Sequence, residues 1–278
     1  MKNISQKLAA VAFALCALTT PALAGRGGSA GLIKSAVSSG SVDAIVAEVE
    51  RAEKLMCEEC LDTMVGLTEH SRFEVREVAA WWFAKRPGAA KIMVSQMRDD
   101  LALGGSIKVR NAADFVGRIR EFSALPALKT ALSRSDITAE AKVAIVRAVG
   151  FMAHPDGNAI LTTAISDGNA EVRAAAATAW RDILGQVTAK PLLGLLSDGN
   201  ARVRAEAATV LGAYGELDAR VTLEQLVMTD ADPFVRRNAA WALGRIGLIG
   251  SSIALTFALN DESGLVRGMA KGALSSLK

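Results

Sequence analysis

The dipeptide Val-Arg returns along this chain at nearly constant intervals, as Val75-Arg76, Val109-Arg110, Val172-Arg173, Val203-Arg204, Val235-Arg236 and Val266-Arg267, with Ala141-Lys142 filling the one gap. Successive basic anchors lie 34, 32, 31, 31, 32 and 31 residues apart. A period of that length restricts the fold strongly. Each unit is one supersecondary element that cannot bury its apolar face alone, so neighbouring units must stack to build a continuous core.

The pattern around the anchor says what the unit is. Six residues before it stands an aspartate in five units, Asp136, Asp167, Asp198, Asp230 and Asp261. Each lies in a turn-like setting such as Ser197-Asp198-Gly199-Asn200, where a carboxylate can accept bonds from the free N–H groups of a following helix. Positions −1, +3, +7 and +10 from the anchor share one helical face, read as Val203, Ala207, Leu211, Tyr214 and as Val235, Ala239, Leu243, Ile246. Gly215 and Gly247 are placed to end these helices as C-caps. A shorter helix precedes each turn, carrying Leu192 with Leu196 or Leu255 with Leu259. The composition agrees: half of it is apolar but only 5% aromatic, which suits closely packed helices better than a sheet. The expected fold is all-α, an α-solenoid, as a superhelix of about seven antiparallel helix pairs with a period of about 31 residues.

The run Asp198, Arg204, Ala207, Leu211-Gly212 and its counterpart Asp230, Arg236, Ala239, Leu243-Gly244 resemble the short HEAT-like repeats of the phycobilisome-lyase type. The resemblance covers roughly residues 57 to 278. It implies that the Asp and Arg side chains form a polar ladder between units, here Asp136, Asp167, Arg173, Asp198, Arg204, Asp230, Arg236, Asp261 and Arg267. It is nearly silent about function. The first two units depart from it, with His70 and Gly104 at the aspartate position.

The N-terminus reads as an export signal. Lys2 and Lys7 precede an apolar stretch from Leu8 to Leu18, and Ala22-Leu23-Ala24 supplies a cleavage site, so residues 1–24 are expected to be removed. Roughly 20 apolar residues are needed to span a bilayer, and no later segment qualifies. The expected product is periplasmic or secreted. Cys16 lies inside the apolar stretch behind Leu15, where a lipoprotein site needs a small residue. Residues 25–56 are expected to be a flexible glycine-containing start followed by a helical capping segment, in which Ser41 caps a helix bearing Ile45 and Val49. Residues 57–278 hold the seven repeats. Without residues 1–24, 32 basic and 29 acidic side chains become 30 and 29, because only two lysines are lost. Near-neutrality gives no general attraction to nucleic acid.

Little in the chain suggests catalysis. Cys57 and Cys60 lack the following histidine of a haem attachment site, and His70 and His154 are the only histidines available to complete a zinc site. The pair is read as a structural disulfide, with buried paired thiols or a redox or metal role as alternatives. Di-iron hydroxylases built on HEAT repeats use several His-Glu pairs, and this chain has none. No nucleophile–base grouping or phosphate loop is present, so no catalytic residue, metal ligand or cofactor is expected.

One feature exceeds this background. Position +5 reads Trp81, Phe115, Arg147, Thr178, Thr209, Trp241 and Gly272, and flanking positions add Arg118, Arg181 and Arg237. Equivalent positions stack in a solenoid, so Trp81, Phe115, Arg118, Arg147, Arg181, Arg237 and Trp241 are expected to form a protein-binding stripe on the concave, second-helix side. The plainer reading is that Trp81 exchanges roles with Trp82 and that Trp241 packs between units. The expected function is an exported, non-catalytic scaffold for a protein or peptide partner. The alternative is a redox, thiol or metal maturation factor using Cys57 and Cys60.

Overall fold

A computed structural model describes residues 29–55 and 58–278. The expected signal peptide, the glycines at 25, 27 and 28, and Cys57 lie outside the described residues. The chain divides into two compact units, Met1–Met152 and Ala153–Lys278. Among the described residues there is no strand, and no helix is long and apolar enough to cross a membrane.

The first unit runs α1 (Ala30–Ser39), α2 (Val42–Arg51), α3 (Glu58–Leu67), α4 (Phe73–Ala84), α5 (Pro87–Leu103), α6 (Ser106–Arg118), α7 (Leu125–Leu132) and α8 (Ala139–Met152). Residues 30–39 were expected to be flexible, and they are helical. Ser29 accepts the Leu32 N–H at 3.2 Å, Gly40 ends the helix at φ 69°, and Ile33 and Ala36 share one buried face. Ser41 caps α2 as expected, accepting the Ala44 N–H. The end of α2 is then fastened to α4. Trp82 Nε1 donates to the Ala52 carbonyl at 3.0 Å, and the Arg86 guanidinium stacks 3.5 Å from the Trp82 ring while donating to the Leu55 carbonyl at 2.9 Å. Burial pushes the Arg86 pKa down to about 10, partly offset by Glu53.

The second unit runs α9 (Gly157–Ala164), α10 (Ala170–Ala179), a 3-10 helix at Lys190–Ser197, α11 (Ala201–Tyr214), α12 (Arg220–Thr229), α13 (Pro233–Ile246), α14 (Ser252–Phe257) and α15 (Gly264–Leu274). The shorter element before α11 is thus 3-10, and in the last repeat Leu255 is buried while Leu259 is exposed. The α-helix there stops at Phe257, and Ala258 fills the core instead. Gly215 and Gly247 end α11 and α13 at φ 65° and 78°. The fold is an all-α solenoid.

What lets the second helices stack is the Leu-Gly element. A Cβ on Gly212 would lie 2.5 Å from the Ala242 Cα, and one on Gly244 would lie 2.8 Å from the Ala273 Cα. These helices touch backbone to backbone at a glycine–alanine pair, and Leu211 and Leu243 beside it are fully buried. α10 breaks the pattern: Arg181 stands where the glycine belongs, and the helix gives way at Trp180, whose ring is buried with Nε1 donating to the Thr188 carbonyl at 2.9 Å.

Candidate protein-binding surface

The ladder is the frame that holds this surface. Arg173 meets Asp198 through Nε and Nη2 at 2.6 and 2.8 Å, Arg204 meets Asp230 at 2.7 and 2.9 Å, and Arg236 meets Asp261 at 2.7 and 3.0 Å. The third nitrogen of each guanidinium donates to the carbonyl of its own repeat's aspartate, Asp167, Asp198 or Asp230, at 2.8 Å. One planar fork thus ties its own turn to the next repeat. Arg173 holds the Asp198 carboxyl below the usual carboxylate range, and Arg236 does the same for Asp261. At Asp230 burial is the largest single effect and pushes upward, but the Arg204 hydrogen bonds, the Asp232 N–H and the charges of Arg204 and Arg236 together bring the carboxyl below its usual range. Arg267, in the last repeat, donates to the Asp261 and Glu262 carbonyls at 2.6 and 3.0 Å.

The aspartates do not cap the helices themselves. The N-caps are Asn169, Asn200 and Asp232, each two residues later, and Asp167, Asp198 and Asp230 accept the N–H of that cap residue at 2.8 to 2.9 Å. His70 fills the same turn in the first repeat, its Nδ1 accepting the Arg72 N–H at 3.1 Å. Asp136 leaves the ladder: it is exposed and pairs with Arg134 at 2.6 Å.

The reason is a shift of register in α6. Elsewhere the N-cap lies four residues before the anchor, as Arg72, Asn169, Asn200, Asp232 and Ser263 do. In α6 it is Gly105, which makes Val109 the structural anchor. Arg110 becomes the counterpart of Arg237, and both donate Nε to the following asparagine, Asn111 or Asn238, at 3.1 Å. Arg110 pairs with Glu140 at 2.8 Å rather than with Asp136.

The same shift removes Phe115 from the stripe. It lands where Ala242 and Ala273 sit in later repeats, is 2% exposed, and packs edge-on with Phe83, ring centroids 5.7 Å apart. Asp114 takes the stripe position and is buried between two arginines. Arg76 reaches its Oδ2 at 2.6 Å and Arg147 its Oδ1 at 2.5 Å. Arg147 also lies 4.2 Å from the Phe73 ring centroid, so it is a structural partner rather than a free cation. Nothing in the Val-Arg spacing signals this triad; the one hint is an aspartate in mid-helix.

The remaining stripe residues differ in freedom. Trp81 is half-exposed with the Lys85 ammonium 5.4 Å from its ring, while Trp82 fills the core, so the two do not exchange roles. The shift of α6 also moves Arg118 one place off its expected flank, where Gly117 now packs on Ala148; Arg118 is exposed and 3.4 Å from Glu77. Arg181 is exposed, and Arg237 lies 5.7 Å from the Phe234 ring. Trp241 does both things expected of it: one ring edge rests on the Gly212 position, 3.2 Å from where a Cβ would stand, and part of the side chain reaches the surface. Beside it a cavity of about 200 Å³ is lined by Gly244, Arg245, Met269, Gly272, Ala273 and Ser276. A larger hollow of about 630 Å³ in the first unit, near Pro87, Val94 and Ile119, carries Arg98, which lies 4.0 Å from Glu121. Cys60 is buried.

Residues 189–275 match the family model for HEAT repeats. The chain has a HEAT-like repeat fold. Among solved structures it is similar to YibA of E. coli, at 13% identity and a TM-score of 0.58, over 87% of this chain and 91% of that one. It is also similar to importin β, at 14% identity and 0.50, over 99% of this chain and 43% of that one. A phycocyanin lyase complex of CpcE and CpcF from Nostoc matches at 17% identity and a TM-score of 0.37, over 93% of this chain and 98% of that one. No curated protein matches. Likenesses this distant establish the HEAT-like fold and leave function to the site.

Proposed function

We propose that this protein is an exported, non-catalytic scaffold that binds a protein or peptide partner on the surface lined by its second helices. The observation that carries the reading is Trp241, a large aromatic half-exposed beside an open cavity on helices that the ladder and the glycine contacts hold rigid. Rigid, partly exposed Trp and Arg side chains next to a pocket are the usual anchors of an interface. Arg181 and Arg237 belong to the same second-helix surface of the second unit, and Trp81 is the aromatic at the corresponding repeat position of the first. Export rests on the order of charged, apolar and small residues before Gly25, and N-terminal sequencing of the mature protein tests it. A structural Cys57–Cys60 disulfide belongs to the same reading, supported by the burial of Cys60 and the spacing of the pair. A maturation factor would instead require both cysteines for activity, so changing both to Ser separates the two readings.

The binding test is a pull-down from an envelope extract, wild type beside Trp241→Ala. Trp241→Ala should weaken a genuine complex by about 2 kcal/mol or more, while Thr209→Ala, at the same repeat position, should change it little. Equal capture of the same partner by wild type and Trp241→Ala would refute the assignment.

A further inference from the structure

On α13 the side chains Phe234, Arg237, Trp241 and Arg245 follow one another at intervals of three and four, which places them on one helical face. The cavity beside Trp241 exists because Gly272 occupies the stripe position on α15: a Cβ there would meet nothing within 4 Å. At about 200 Å³ it has room for one large apolar side chain, since a cavity of about 150 Å³ already accepts benzene. The charges beside it are unbalanced. In the second unit Arg173, Arg204 and Arg236 are neutralised by ladder aspartates, Arg202 by Glu171 and Arg220 by Glu224. Arg237 donates to the Asn238 amide oxygen, and neither it nor Arg245 has a carboxylate partner among the described residues.

The spacing of these groups suggests what would lie across them. A helix rises about 1.5 Å per residue, so Arg237 and Arg245 sit about 6 Å to either side of Trp241 along the α13 axis. In an extended chain alternate residues point the same way and are separated by roughly 6.5 to 7 Å. The Gly244–Ala273 contact leaves only a shallow seam between α13 and α15, into which a helix of about 10 Å diameter cannot sink but alternate side chains of a strand can.

We propose that this face takes an extended acidic segment of a partner protein, with one large apolar side chain entering the cavity beside Trp241 and an Asp or Glu two residues to each side meeting Arg237 and Arg245. The proposal rests on the scaffold reading above and names the chemistry of its partner.

Fluorescently labelled peptides containing Glu-Ser-Phe-Ser-Glu, Glu-Ser-Ala-Ser-Glu or Lys-Ser-Phe-Ser-Lys, titrated with the full chain and followed by anisotropy, test it. The acidic phenylalanine peptide should bind at least about tenfold more tightly than either other peptide and weaken as salt is raised. Replacing both arginines, Arg237→Glu with Arg245→Glu, should reverse the preference toward the lysine peptide without the loss of packing that Trp241→Ala brings. Equal binding of the acidic and basic phenylalanine peptides, or no binding of any, would overturn the proposal. If both phenylalanine peptides bind equally and Trp241→Ala abolishes them, the scaffold reading survives and only the acidic partner falls. If none binds, the pull-down with Trp241→Ala decides the scaffold reading separately.

Discussion

Asp230→Ala removes a rung of the ladder at its most buried carboxylate. The Asp230 side chain is 3% exposed and accepts two bonds from Arg204 and one from the Asp232 N–H. Truncation leaves the Arg204 Nε and Nη2 without their acceptor, in a side chain only 17% exposed. Breaking one partner out of a buried ion pair costs roughly 3 to 5 kcal/mol. Arg204 keeps the Asp198 carbonyl at 2.8 Å, and some water can reach it, so the low end applies, about 3 kcal/mol. This exceeds the cost of about 1 kcal/mol for a lost helix cap. That smaller cost belongs to Asp232, the residue that caps α13. The assay is urea unfolding of the full chain at neutral pH, followed by circular dichroism. Glu171→Ala breaks the exposed Arg202 pair and should change stability by less than about 0.5 kcal/mol. Replacing both members, Arg204→Met with Asp230→Leu, should cost clearly less than Asp230→Ala alone, because no buried charge is stranded. A loss below about 1 kcal/mol for Asp230→Ala, or a double variant as unstable as the single one, would refute the argument.

The ladder also sets a pH dependence. Asp198, Asp230 and Asp261 have folded pKa values below their unfolded ones, so the stability they contribute is complete above the unfolded value of about 3.9. It should be lost as pH falls from there through the lower folded values, and acid titration of wild type against the triple Asp→Asn variant measures it; parallel curves would contradict the assignment. Phe115→Ala should cost about 3 to 5 kcal/mol as a core truncation, checked by urea unfolding, whereas a value near zero would return Phe115 to the surface. Gly212→Ala should destabilise by about 1 to 3 kcal/mol through its clash with the Ala242 backbone. Gly268→Ala, also helical but in open space, should instead gain up to about 1 kcal/mol. Equal thermal shifts for the two glycine variants would rule out the close-approach argument.

The all-α class, the repeat and the regular ladder rungs were legible in the sequence because each rests on local spacing. Anchors 31 or 32 residues apart from Arg110 onward bring an arginine such as Arg204 beside the turn aspartate of the next repeat, Asp230, and the caps at Gly215 and Gly247 need only a glycine able to adopt positive φ. The N-terminal helix Ala30–Ser39 was less visible, since its glycines masked a Ser29 cap and a short apolar face that acquires meaning only when buried. The candidate site was legible in part. Trp81, Arg181, Arg237 and Trp241 remain accessible at their repeat positions, but the side chains that matter beside Trp241, Arg245 and Met269, carry no periodic signal. Only the tertiary structure could place Phe115 in the core and Asp114 on the stripe. One residue of difference in where α6 begins rotates every side chain on it by about 100°, and that starting point was settled by how α6 packs against its neighbours rather than by the Val-Arg pair itself. The role of Arg147 was decided in the same way: the sequence shows a cation on a surface stripe, and packing brings it against a buried aspartate 33 residues earlier, whose other oxygen is already held by Arg76.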